Sequence, residues 1–74
     1  MKLDRYVRLK VYPGILILSI IKGKKIVLER RYDLIDIKEH QKRHLTALMK
    51  FYGDYELLTT WEDLQFIRSI GIRI

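Results

Sequence analysis

Residues 3–12 alternate between apolar and polar side chains in a way that predicts a β-strand. One side of the segment carries Leu3, Val7, Leu9 and Val11, and the other carries Asp4, Tyr6, Arg8, Lys10 and Tyr12. A repeat of two residues is typical of a strand with one buried face. Pro13-Gly14 then predicts a turn, because proline fixes φ and glycine accepts a positive φ.

The next two segments extend this pattern into a meander. Residues 15–21 read ILILSII, and their short length and β-branched content favour a strand that is apolar on both faces. Lys22-Gly23-Lys24 predicts a second tight turn, and residues 25–32 predict a third strand of mixed character. We therefore expect a three-stranded antiparallel meander over residues 1–32.

After Asp33 the spacing of apolar residues becomes helical. The residues that recur at this spacing are Ile37, Gln41, His44, Leu45, Leu48 and Tyr52, with Met49 beside them. Asp36 is a good N-cap, and Glu39 three residues later completes a capping box. Gly53 stands where a helix commonly ends. The sequence therefore predicts a helix over residues 36–52.

The last twenty residues predict a short strand followed by a second helix. Residues 55–59 favour a buried strand, and Thr60 is a suitable cap for a helix over residues 60–70. The apolar side of this helix consists of Trp61, Leu64, Ile67 and Ile70, so we expect Trp61 in the core. Residues 71–74 are a candidate terminal strand.

These elements define one α+β domain, residues 1–74, with the order β-β-β-α-β-α. A strand, helix and strand in succession cross over with right-handed connectivity, so the fourth strand is expected parallel to a strand of the meander, with the helices on one face. This order resembles the core of the ribonuclease-H-like superfamily. The resemblance implies cleavage of nucleic acid by clustered carboxylates that hold divalent metal ions.

The carboxylates that the resemblance implies are missing from the corresponding positions. Asp4 stands only at the start of the first strand, whose centre holds Arg8 and Lys10. Glu39 fits a helix cap better than a metal ligand, and the predicted fourth strand ends in Thr59-Thr60. We therefore expect a minimal version of this architecture without its catalytic residues.

Composition narrows the class of protein further. The 74 residues include no cysteine, which excludes disulfides and thiolate metal sites within the chain. A domain of this size buries only about 60–65% of its unfolded surface, so it often depends on a partner for stability. The longest apolar run is far shorter than a membrane span, and we expect a cytoplasmic protein without membrane contact. The absence of asparagine, together with abundant Lys, Arg and Ile, is typical of heat-adapted proteins.

Positive charge is concentrated in the first 44 residues. That part of the chain holds 12 of the 15 Lys and Arg residues and five acidic residues. Basic side chains interleaved with aromatic ones are suited to nucleic acid, because cations meet phosphates and rings stack on bases. The candidate DNA- or RNA-binding residues are Tyr6, Arg8, Lys10, Tyr12, Lys24, Lys25, Arg30 and Arg31. The alternative is that the tyrosines only cover the second strand while the cations stay solvated.

The second predicted strand indicates a partner chain. Ile15, Ile17 and Ile21 lie on one face of it, whereas Leu16, Leu18 and Ile20 lie on the other. One layer of helices covers one face, and the uncovered set leaves an apolar patch that is large for a monomer. We predict a homodimer or another protein partner at Leu16, Leu18 and Ile20. The alternative is that long side chains of the neighbouring strands cover the second face.

No group of residues predicts catalysis or a cofactor. His40 and His44 lie four residues apart on the first helix, which is half of a metal site, but no third ligand is evident. Ser19 and Ser69 have no adjacent base. We therefore expect a binding protein rather than an enzyme: a nucleic-acid-binding protein, or alternatively a protein-interaction module such as a small viral or plasmid-encoded factor.

Overall fold

The computed structural model describes residues 4–74, so the predicted contribution of Leu3 to the first strand lies outside the described residues. Within this range the strands are β1 (Arg5–Tyr12), β2 (Ile15–Lys22), β3 (Lys25–Asp33) and β4 (Glu56–Leu58), and the helices are α1 (Glu39–Phe51) and α2 (Trp61–Ser69). The predicted order β-β-β-α-β-α is confirmed. None of the helices in this range is long and apolar enough to cross a membrane.

The strands form a mixed sheet with the order β3-β2-β1-β4. β2 pairs antiparallel with both β1 and β3, as expected for a meander. β4 is parallel to β1, with Val7 opposite Leu57, so the predicted parallel pairing of the fourth strand with a strand of the meander is confirmed. The sheet places β1 and β2 in the middle and the two other strands at the edges.

Glycine makes both hairpin turns possible. Gly14 has a φ of 76° after Pro13, and Gly23 has a φ of 65°. Residues with a side chain rarely adopt this left-handed conformation, whereas glycine does so without steric cost. The two turns set the register in which Arg8 lies opposite Ser19 and Ser19 lies opposite Glu29.

Both helices pack on the same face of the sheet. The fully or nearly fully buried hydrophobic residues are Val7, Leu9, Leu16, Leu18, Ile20, Tyr32, Leu45, Ile67 and Ile72. The sheet residues among them share one side by register, and Leu45 of α1 and Ile67 of α2 cover them. The hydrophobic core therefore lies between the helices and one face of the sheet.

The first helix begins three residues later than predicted. Its N-cap is Lys38, whose backbone N–H donates to the Gln41 side-chain oxygen over 2.9 Å. Asp36 lies outside the helix and pairs with the Lys38 ammonium at 3.7 Å. The predicted Asp36 cap is therefore wrong. The helix starts after Lys38, and the Gln41 side chain accepts the hydrogen bond from the Lys38 backbone N–H.

The second helix has the predicted cap, and Ile67 and Ile70 of its predicted apolar side pack in or against the core. The Thr60 hydroxyl accepts a hydrogen bond from the Asp63 backbone N–H over 3.1 Å, and Gly71 follows the helix with a φ of 92°. Trp61, however, is 70% exposed, so its predicted place in the core is wrong. Side chains of an α-helix tilt toward its N-terminus, and that of the first helical residue therefore projects past the end of the packed helix.

Two further expectations for the end of the chain are wrong. β4 spans three residues that are all exposed, because it is an edge strand paired only with β1, whereas a buried strand over residues 55–59 was expected. Residues 71–74 form no strand. Ile72 is nevertheless buried in the core, and the Thr46 hydroxyl donates to the Arg73 carbonyl oxygen over 3.0 Å, so packing and a hydrogen bond to α1 hold this segment in place.

Candidate nucleic-acid interface

The sheet has a second face that neither helix covers, which we call the open face. It carries the side chains that alternate with the core residues along each strand. By register these are Tyr6, Arg8, Lys10 and Tyr12 on β1, Ile15, Ile17, Ser19 and Ile21 on β2, Ile26, Glu29, Arg31 and Asp33 on β3, and Glu56 and Leu58 on β4.

The polar row of β1 lies along the middle of the open face. The strand alternation that buries Val7 and Leu9 on the helix side places two tyrosines and two cations on the other side. Tyr12 is 44% exposed, and the Lys10 ammonium lies 5.9 Å from the centre of its ring. Tyr6 and Tyr12 stand roughly 20 Å apart, given about 3.3 Å per residue, with Arg8 and Lys10 between them. This row presents rings and positive charge at the same surface.

Acidic residues of the open face lie only on its two outer strands. β1 and β2 contribute no carboxylate to this face, whereas β3 contributes Glu29 and Asp33 and β4 contributes Glu56. The Asp33 carboxylate accepts a hydrogen bond from the Ile35 backbone N–H over 2.9 Å. Arg8 and Lys10 form no ion pair with any residue from 4 to 74. β1 is therefore the most positive strand of the open face, whereas β3 carries Arg31 between Glu29 and Asp33, and β4 carries Glu56. The Asp63 carboxylate of α2 lies beside Lys10, where it accepts a hydrogen bond from the Val11 backbone N–H over 3.3 Å.

The structure divides the basic residues that the sequence grouped together. Arg31 joins Arg8 and Lys10, because it lies opposite Ile17 on the open face. Arg30 lies opposite the core residue Leu18 and so faces the helix side, where its guanidinium donates to the Glu29 carbonyl oxygen over 3.0 Å. Its assignment to this surface is wrong, because adjacent residues of a strand point to opposite faces.

The two remaining basic candidates lie at one end of the sheet. Lys24 is in the turn between β2 and β3, and Lys25 lies opposite Lys22, which itself lies opposite Arg5. The register places Lys25 on the helix side, away from Arg8 and Lys10. These lysines are therefore not part of the β1 row.

The apolar side chains of β2 on the open face are three isoleucines, which we call the isoleucine stripe: Ile15, Ile17 and Ile21. All three are partly exposed. Leu16, Leu18 and Ile20, which were predicted to bind a partner, have no exposed surface because α1 and α2 cover them. That prediction is therefore wrong, and the surface available to a partner is the isoleucine stripe.

Ser19 interrupts the isoleucine stripe at its centre. Its side chain is fully buried, and its hydroxyl has no hydrogen-bond partner within residues 4–74. By register it lies between Arg8 and Glu29, whose longer side chains flank it on the same face. The alternative to a partner chain, in which long side chains of the neighbouring strands cover this face of β2, stays a prediction.

The two histidines of α1 do not form a cluster with other metal ligands. Among residues 4–74, no group of three or more His, Asp or Glu side chains is placed to hold one ion. His44 Nδ1 lies 3.1 Å from the Tyr32 hydroxyl, so this ring already has a partner. Burial raises the pKa of Tyr32 above its usual value, and the positive charge of Arg30 offsets part of this rise.

A groove on the helical side was not apparent from the sequence. It has a volume of about 560 Å³ and lies between α1, β4, α2 and the last residues. Met49, Leu57, Leu64 and Ile74 form its apolar floor, and Lys50, Arg68 and Arg73 line its rim. These residues come from four separate segments, so only tertiary packing brings them together.

The fold and the open face define this protein as a small α+β domain with one uncovered sheet surface. Comparisons with protein-family models, curated proteins and solved structures give no match.

Proposed function

We propose that this protein binds nucleic acid on the open face of its sheet. The observation that carries the proposal is the β1 row, in which Tyr6, Arg8, Lys10 and Tyr12 lie side by side on a surface that no helix covers. Arg31 adds a third cation two strands away. β1 and β2 carry no carboxylate on this face, whereas Arg31 shares its strand with Glu29 and Asp33, and Asp63 of α2 lies at the edge beside Arg8 and Lys10.

The chemistry of such a contact is mainly electrostatic. Arginine donates two parallel hydrogen bonds to phosphate oxygens, and lysine acts as a compact positive charge. Each neutralised phosphate releases counterions, so the logarithm of the binding constant falls with the logarithm of salt concentration by about 0.7–0.9 per contact. The proposal therefore predicts affinity that weakens steeply between about 50 and 200 mM salt.

A charge-neutralising double variant tests the interface directly. Arg8→Gln with Lys10→Gln removes two phosphate contacts, and we expect the salt slope measured by fluorescence anisotropy to flatten by about 1.4–1.8. The matched control is Arg43→Gln with Lys50→Gln, which removes the same charge from exposed positions on α1.

The control separates a specific surface from overall net charge. We expect the α1 double variant to retain most of the salt slope. Equal losses in the two double variants would mean that net charge alone attracts the nucleic acid. No binding of DNA or RNA at about 50 mM salt would contradict the proposal.

A second candidate function is protein binding through the isoleucine stripe. Three partly exposed isoleucines on one strand form an apolar surface of the kind that interfaces bury, and a second copy of the chain is the simplest occupant. The measurement is the mass in solution by light scattering. A homodimer predicts twice the mass of the chain, and a monomer at all accessible concentrations would contradict self-association.

A further inference from the structure

We infer that the nucleic acid bound by the open face is single-stranded. The inference rests on the proposed function and adds the class of ligand. It follows from three features of the open face: its width, the order of charges across it, and the presence of rings and isoleucines beside the cations.

The width of the sheet is too great for the major groove of undeformed B-DNA. The outer strands of four lie about 14 Å apart at a spacing of about 4.8 Å, before any side chain is added. The major groove of B-DNA is about 12 Å wide and admits a helix or a two-stranded ribbon. Unless the duplex is bent and its groove widened, the open face therefore meets it only at its outer phosphates.

The charges across the sheet match a narrow track of phosphates rather than a duplex surface. Arg8 and Lys10 lie together on a middle strand, whereas the outer strands carry three carboxylates, those of Glu29, Asp33 and Glu56, and one cation, Arg31. A duplex laid on this face brings phosphates over both margins, where the carboxylates repel them. One backbone that follows β1 meets the cations and avoids the acids.

The tyrosine rings and the isoleucine stripe are suited to contact the faces of bases, which are stacked and inaccessible in a duplex. A single strand turns its bases outward, and these stack on aromatic side chains irrespective of sequence. Tyr6 and Tyr12 stand at the two ends of the cation pair, and Ile17 lies opposite Lys10 on the next strand. Bases on the tyrosines and isoleucines, with phosphates on Arg8 and Lys10, satisfy both kinds of surface at once.

Matched single-stranded and duplex probes test the inference. Labelled dT and rU oligonucleotides of about 12 nucleotides are compared with DNA and RNA hairpin duplexes of equal length, all at one salt concentration. We expect at least one single-stranded probe to bind about tenfold or more tightly than its duplex. Duplexes that bind as tightly as both single strands would overturn the inference and leave the proposed function standing. Failure of all four probes to bind would overturn both.

Tyrosine variants test the stacking contribution separately from charge. Tyr6→Leu and Tyr12→Leu keep apolar bulk but remove the ring, and each is expected to weaken single-strand binding about fivefold or more without changing the salt slope. Tyr6→Phe and Tyr12→Phe keep the ring and are expected to bind as the unmodified protein does. Leucine variants that bind normally would overturn the inference that bases stack on these rings.

Discussion

At the scale of single residues, Tyr32 combines burial in the core with a hydrogen bond to a histidine. It is almost fully buried in the core, and its hydroxyl meets His44 Nδ1 at 3.1 Å. Burial disfavours the ionised tyrosinate and so raises the pKa of Tyr32 in the folded protein. The neutral phenol therefore contributes stability at every pH below the pKa of tyrosine in the unfolded chain, about 10. This stability is lost as the pH rises from there through the higher pKa of the folded state.

We expect Tyr32→Phe to make unfolding less sensitive to alkaline pH. The variant loses the hydrogen bond to His44, which costs about 1 kcal/mol near neutral pH, but it has no phenol to ionise. The melting temperature followed from about pH 8 to pH 11 should fall less steeply than that of the unmodified protein. Tyr12→Phe, which removes an exposed hydroxyl instead, is the control. Parallel curves for the unmodified protein and Tyr32→Phe would contradict this account.

At the scale of elements, the two helices begin in different ways although the sequence predicts the same kind of cap for both. Thr60 accepts a hydrogen bond from the Asp63 backbone N–H, whereas Asp36 lies before the start of α1 and forms an ion pair with the N-cap residue Lys38. A short helix such as α2 depends strongly on its cap, because its first N–H groups have no partner within the helix.

We expect Thr60→Ala to lower the free energy of unfolding by about 1 kcal/mol, the usual cost of a lost cap. Asp36→Ala removes only an exposed ion pair and is expected to change the free energy of unfolding by less than about 0.5 kcal/mol. Urea denaturation of the two variants checks both values. A larger effect at Asp36 than at Thr60 would mean that the cap predicted for α1 from the sequence operates after all.

At the scale of the whole molecule, the sheet has one face for the core and one for contacts. Adjacent residues of β2 illustrate the difference: Leu18 has no exposed surface, and Ile17 is partly exposed on the open face. A lysine in place of Leu18 buries a charge without a partner. A lysine in place of Ile17 can extend its ammonium group into solvent.

We therefore expect Leu18→Lys to unfold the domain and Ile17→Lys to leave it folded. Circular dichroism and thermal denaturation distinguish the two outcomes. If the chain self-associates through the isoleucine stripe, Ile17→Lys also yields a folded monomer by light scattering. A folded Leu18→Lys variant would mean that the two faces of β2 are assigned the wrong way round.

Local patterns in the sequence were sufficient for most of the fold. Alternation along β1, the Pro13-Gly14 turn and the Thr60 cap each depend on residues a few positions apart, so they can be recognised without knowledge of the tertiary structure. The right-handed crossover adds one rule of topology, and it placed β4 parallel to a strand of the meander. The prediction that Trp61 lies in the core and the prediction that Asp36 caps α1 were both wrong, because each depends on where the packed helix begins.

The candidate site, like the fold, was predictable in part from the sequence and depended in part on the tertiary structure. The sequence by itself determined that Tyr6, Arg8, Lys10 and Tyr12 share one face, because a strand repeats every two residues. Only the tertiary structure decided that this face is open, since β2 is apolar on both sides and its pattern does not say which side the helices cover. It also separated Arg30 from Arg31 and exposed Ile15, Ile17 and Ile21 in place of Leu16, Leu18 and Ile20. Burial is a property of contacts between distant segments, and for a strand with two apolar faces only those contacts determine which face is covered.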